Sequence, residues 1–206
     1  MNHFNSLMAH GQKAHVDKQQ RGFSLVTTLI LLVVVTVLGI GASQMVLLSE
    51  RSTRFDRDQQ IAFQAAEAAL LEAEFDIRGP NSNRMALFTG TDSENVNFID
   101  GCGSTGLCSG ALVANKPVWY SVNFTDKSAT AKTTKFGQFT GRTFSTGQTG
   151  IRPEMLPRYI IEAIPDQTPG QRVTGGGKKI LYRVTAMGFG PRKETQAVVQ
   201  MIFRKE

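Results

Sequence analysis

Arg21-Gly22-Phe23-Ser24-Leu25-Val26-Thr27 heads the apolar run on which the reading of the whole chain turns. From Phe23 to Ser49 there is no charged residue, and Leu, Ile, Val, Gly and Ala fill most of the segment. Crossing a bilayer core of about 30 Å takes about 20 helical residues, so the run is long enough to span. A single segment in lipid must satisfy its own backbone hydrogen bonds, which leaves a helix as its form. The chain is 41% hydrophobic overall, and because so much of that sits here the remainder is fairly polar.

Upstream, residues 1–22 set Lys13, Lys18 and Arg21 against Asp17 and show no apolar periodicity, as expected of a leader without a fold. Their positive charge favours retention of this end in the cytoplasm. Arg51, Arg54 and Arg57 flank the other side, but long following domains translocate largely regardless of charge. The C-terminal part is therefore expected outside the cytoplasm. An ordinary secretory signal has an apolar core of about 7–15 residues before a small-x-small cut. Gly39-Ile40-Gly41 and Gly41-Ala42-Ser43 fit that cut, but the charge-free run is too long and its leader too polar. The better place for a cut is between Gly22 and Phe23, which leaves the apolar helix on the mature chain.

A length of 206 residues accommodates one membrane helix and one modest globular domain. The formal charge of +6 is a mild excess and not the signature of a dedicated nucleic-acid binder. His3, His10 and His15 all precede the apolar run, so the mature chain would lack the commonest general base and metal ligand. That argues against a Ser-His hydrolase or a zinc enzyme. No catalytic residue, metal site or cofactor is assigned, and the chain is expected to be non-enzymatic.

Beyond Glu50 the helical pattern continues to Arg78. Gln59 to Glu74 is dense in good helix formers. Ala62, Ala66, Ala69 and Ala73 share a face, while Phe63, Leu70 and Ile77 recur every seven residues. Gly79-Pro80 supplies the stop. A helix from Ser24 to Arg78 would run roughly 80 Å at 1.5 Å per residue. Sustained heptads with flanking charges are lacking, which disfavours a coiled-coil stalk. Four segments read as strands: Val118–Phe124, Arg158–Ile164 ended by Pro165, Ile180–Ala186 and Ala197–Phe203, with Gly188-Phe-Gly190-Pro191 at a turn. Four antiparallel strands with one apolar face would cover the amphipathic half of the helix in an α+β layer. Two glycine patterns carry no nucleotide site. Gly101-x-Gly103-x-x-Gly106 lacks the flanking strand and helix of a dinucleotide fingerprint, and Gly175-Gly-Gly177-Lys178-Lys179 lacks the residues of a P-loop. In Thr125 to Pro157, Lys127, Lys132, Lys135 and Arg142 alternate with Phe136, Phe139 and Phe144. Such interleaving can hold single-stranded nucleic acid, but a solvated loop with its aromatics tucked under the domain is the preferred reading. A surface for neighbouring subunits is also open.

Lys18-Gln-Gln-Arg21-Gly22-Phe23-Ser24-Leu25 resembles the cleavage motif of type IV prepilins. The resemblance implies that a prepilin peptidase cuts after Gly22 and N-methylates Phe23. The helix would then anchor the subunit in the inner membrane before packing into the filament core. One position departs from the pattern: the fifth mature residue, usually a glutamate thought to pair with a neighbour's N-terminal amine, is Thr27. A neutral hydroxyl cannot make that pair, and some minor pilins and pseudopilins assigned to filament tips also lack the glutamate. The run Ala62 to Glu74 and the segment Tyr182-Arg-Val-Thr-Ala-Met-Gly-Phe-Gly190 are similar to PilX-type minor pilins.

The implied architecture is a pilin fold: leader 1–22, membrane and filament-core helix 23–49, amphipathic continuation 50–78, and a periplasmic β domain 79–206. The implied function is to promote initiation or assembly of type IV pili near the tip. The expected partners are other minor pilins, the major pilin, a tip adhesin, the inner-membrane assembly platform, the prepilin peptidase and membrane lipid, with nucleic acid not among them. The alternative is a minor pseudopilin of a type II secretion system. Cys102 and Cys108 are the only cysteines, and in an oxidising periplasm they read as a disulfide closing a short loop. For so small a loop the chain-entropy contribution is about 2–2.5 kcal/mol. A redox pair or half a metal site are the competing readings, against which stand the spacing of five intervening residues and the lack of a second ligand pair.

Overall fold

The computed structural model describes residues 23–80, 82–90, 97–110, 116–147, 151–168 and 179–205. The leader, Gly22 included, and the Gly175–Lys178 run lie outside the described residues. Chain contacts divide the molecule into two units, residues 1–51 and 52–206.

A single helix, α1, runs Phe23–Arg78. Its end is set where expected: the Gly79 N–H donates to the Phe75 carbonyl at 2.7 Å, and a Cβ at Gly79 would lie 2.4 Å from that oxygen. The following Pro80 cannot extend the ladder. Beyond it come a short 3-10 turn (Met85–Leu87), β1 (Leu107–Ser109), α2 (Val118–Ser121), β2 (Thr134–Lys135), β3 (Arg158–Pro165), β4 (Ile180–Phe189) and β5 (Gln196–Phe203).

The fold is α+β, with α1 on a mixed sheet. Among the described residues the strand order is β1-β3-β4-β5, with β2 also pairing β3. β3, β4 and β5 are antiparallel, in the registers Ile161 with Val184 and Val184 with Met201. β2 is antiparallel to β3, with Thr134 opposite Tyr159. β1 is parallel to β3, with Leu107 opposite Ile161, so the expectation of a wholly antiparallel sheet is corrected at this one pair. The chain reaches β1 through a tight turn after Phe98 and is too short there to show any alternation.

Val118–Phe124, expected as a strand, instead opens with α2. Val118 is buried but Tyr120 is exposed, so the alternating apolar face is not realised. Val118 and Val122, four apart, both reach the core, a spacing equally compatible with a helical turn. Pro117, with φ −56°, caps that turn from the front.

Within the second unit, the sheet has apolar cores on both sides. Towards α1, Tyr159, Ile161, Tyr182, Val184 and Ala186 pack with Ala69, Ala73 and Ile77. Phe88 and Phe98 close this core against Tyr182, with ring centroids 5.4 and 6.0 Å from it. Such aromatic pairs add about 0.5–1.5 kcal/mol each beyond their area. On the other side Ile160 and Phe189 pack beneath Val118, Val122, Phe124, Met155 and the cysteine pair. β3 is therefore covered on both faces, while β5 shows a strict alternation with Val198 and Ile202 exposed.

The alanine face of α1 explains how closely helix and sheet approach. A Cβ at Gly188 would fall 2.1 Å from the Ala62 carbonyl oxygen and 2.2 Å from the Ala66 nitrogen. Glycine on β4 and alanine on α1 let two backbones meet directly. The Phe63, Leu70, Ile77 row does not lie on one buried face: Ile77 is buried, Leu70 partly so, and Phe63 is exposed.

Candidate assembly surfaces

The apolar half of α1 offers its side chains outward. None of residues 24–49 is buried, and the window of highest mean hydropathy reaches 2.7. The hydroxyls in it turn back onto the helix. Thr27 Oγ1 donates to the Ser24 carbonyl at 2.9 Å, and Thr28, Thr36 and Ser43 do the same to carbonyls three residues earlier. A hydroxyl bonded to its own helix costs little in a medium without water. A helix this long and apolar fits membrane anchoring. Thr27 itself is half-buried and carries no charge.

The amphipathic half of α1 works through two buried carboxylates one turn apart. Asp76 accepts from Arg84 Nε (3.0 and 2.9 Å to its two oxygens) and Nη2, from Ser82 Oγ at 2.8 Å and from the Tyr159 hydroxyl at 2.7 Å. Arg84 in turn donates to the Thr105 carbonyl and lies 3.8 Å above the Phe139 ring. Burial, and then the Asp76 charge, push the Tyr159 phenol well above its ordinary pKa. Glu72 accepts from the Gly137 N–H at 3.0 Å, from the Thr140 hydroxyl and from Arg142 at 3.1 Å. Arg142 also covers the Phe75 ring at 4.3 Å. Helix, central strand and the 82–90 and 134–142 loops are thus tied at two points. Buried ion pairs of this kind hold geometry more than they add net stability, but removing one partner is costly.

Cys102 and Cys108 form the expected disulfide, with Cα atoms 4.2 Å apart. Both are buried against the core under the loop face. The bond closes the turn that feeds β1, where the Ser109 N–H donates to the Ile99 carbonyl at 3.0 Å. Gly106 has φ +67°, and a Cβ there would lie 2.5 Å from Thr134 Oγ1, so this glycine serves a close approach. The three phenylalanines of the 125–157 segment are engaged. Phe136 is buried and 5.1 Å from Phe144, and Phe139 lies under Arg84.

Sequence reasoning missed the Asp76 and Glu72 networks. The available signal was two carboxylates on the same helix face as the alanines, which demands partners from elsewhere. Among the described residues no group of three or more His, Cys, Asp or Glu is placed to hold a metal.

The chain was compared with known proteins. The PilX N-terminal family matches residues 21–71, and the family described as type IV pilus assembly protein PilX C-term matches residues 80–205. No curated protein and no solved structure matches it. That family is structural rather than catalytic and implies interaction with other pilus components. With the second match alone covering more than half of the residues, the chain belongs to the PilX family of type IV pilus assembly proteins.

Proposed function

We propose that the chain is made as a prepilin, cut between Gly22 and Phe23, N-methylated at Phe23, and incorporated as a minor subunit near the pilus tip. There it promotes initiation together with other minor pilins, the major pilin and a tip adhesin, on the inner-membrane assembly platform. It acts by packing, with the 23–49 segment held first in lipid and then in the filament core, and with the β domain in the periplasm and later outside the cell. The observation that carries this reading is Thr27. Its hydroxyl bonds its own helix at 2.9 Å, so the fifth mature residue offers no carboxylate to a neighbour's amine. A subunit repeated throughout a filament core would leave one unpaired amine per copy, a large cumulative cost. A subunit present once at an end does not. The family match over the C-terminal part favours the pilus over a type II secretion pseudopilus.

The test is to delete the gene, count surface pili, and locate an epitope-tagged copy on sheared filaments. Fewer pili with label confined to filament ends is the expected result. Unchanged pilus numbers, or label along the whole shaft, would overturn the tip and initiation role.

A further inference from the structure

Arg158, the first residue of β3, projects from the loop-covered side of the sheet. It is only 7% exposed, yet no carboxylate stands within ion-pair distance among the described residues. Its Nε donates to Thr133 Oγ1, and its Nη2 donates to the Thr133 carbonyl at 2.9 Å. A guanidinium has five N–H donors. Both donors of Nη1 and one of Nη2 have no protein acceptor among the described residues. Loss of hydration pulls the Arg158 pKa down, and the Asp126 charge acts in the opposite direction. Arg84, the other buried guanidinium, is paired with Asp76, whereas Arg158 has no carboxylate within ion-pair distance among the described residues.

Arg158 lies on the wall of a cleft of about 330 Å³. Lys127 and Lys135 line the same cleft, along with Ser104, Ser128, Thr133 and Gln138. Both lysines are exposed, so their ammonium groups can turn over the opening. Asp126 accepts from the Ser128 N–H at 2.8 Å, and that bond, with the Arg158 charge a lesser cause, holds its carboxyl below the usual range. Asp126 is not among the lining residues and makes no ion pair with Arg158. Three cations and several hydroxyls thus face a space that no protein acid fills.

We propose that this cleft is a binding site for a phosphate-type oxyanion, held by the free edge of the Arg158 guanidinium and closed over by Lys127 and Lys135. A planar guanidinium edge offers two parallel donors to two oxygens of one anion. Mobile ammonium groups add charge without a fixed geometry. Three positive charges suit a dianion better than a single carboxylate.

The full chain in dodecyl maltoside would be titrated calorimetrically with inorganic phosphate, glycerol 3-phosphate and acetate at constant ionic strength. Saturable phosphate binding is expected, weakened at least tenfold in K127A/K135A. Both lysines are exposed, so this variant keeps its fold. Equal binding of glycerol 3-phosphate would identify the site as one for a phosphate ester. Binding of inorganic phosphate alone would identify a free-ion site. Heat indistinguishable from added chloride, preference for acetate, or an unchanged response in the lysine variant would overturn the assignment.

Discussion

In residues 24–49 of α1 the side chains are uncharged and mostly apolar and none is buried, whereas in residues 58–76 of the same helix the buried positions are alanines and carboxylates. The first stretch keeps its polar atoms on its own backbone, threonine to carbonyl three residues earlier. The second sends them far along the chain, Asp76 to Tyr159 and Glu72 to Arg142. One secondary structure therefore answers two solvents. A segment whose surroundings are lipid needs apolar content and little else. Where the helix carries a sheet, small residues admit the strands and charged residues lock the loops.

The contrast breaks first at Asp76. D76A leaves the Arg84 guanidinium buried without its counter-charge, and equilibrium denaturation of the full chain in detergent should show a loss of about 3–5 kcal/mol. A loss under 1 kcal/mol would mean the network is ornamental. G188A comes next. Its methyl would enter the Ala62–Ala66 backbone contact, so a loss of about 3 kcal/mol is expected. Removing the disulfide with C102S/C108S should cost about 2 kcal/mol, because a short loop holds little chain entropy.

A titration sharpens the same comparison. The fold keeps Tyr159 neutral and raises its pKa, so the stability tied to it is complete below the unfolded value near pH 10 and is lost as pH rises past that value. Once the unfolded phenol ionises, stability should fall by about 1.4 kcal/mol per pH unit from this group. Y159F should show a correspondingly shallower alkaline slope. The smallest effect belongs to the other half of the helix. T27A should change the denaturation of the second unit by less than about 0.5 kcal/mol, the range expected of a substitution away from a core.

Much of this was legible in the residues. The 56-residue helix follows from the uncharged run and the alanine-rich continuation, and Gly79-Pro80 marks its end. β3, β4 and β5 are eight to ten residues long, and β4 and β5 alternate clearly enough to declare themselves. β1, β2 and α2 are two to four residues long, too short for any period to show. Gly188 looked like part of a turn, but the strand runs on to Phe189 because the glycine is needed for helix contact. Asp76 and Tyr159 are 83 positions apart, and nothing local in either sequence names the other. Arg158 read as the start of a strand, and only the tertiary structure shows that it lacks an ion-pair partner and lines a cleft.

The most direct test of the central claim is the N-terminal sequence and intact mass of the protein from its native membrane, with and without the prepilin peptidase. The account predicts a chain beginning at N-methyl-Phe23 when the peptidase is present and retention of the leader when it is absent. A chain beginning at Met1 in both cases, or one cut near Ser43, would contradict it, because the apolar half of α1 would then be a simple anchor or a discarded signal.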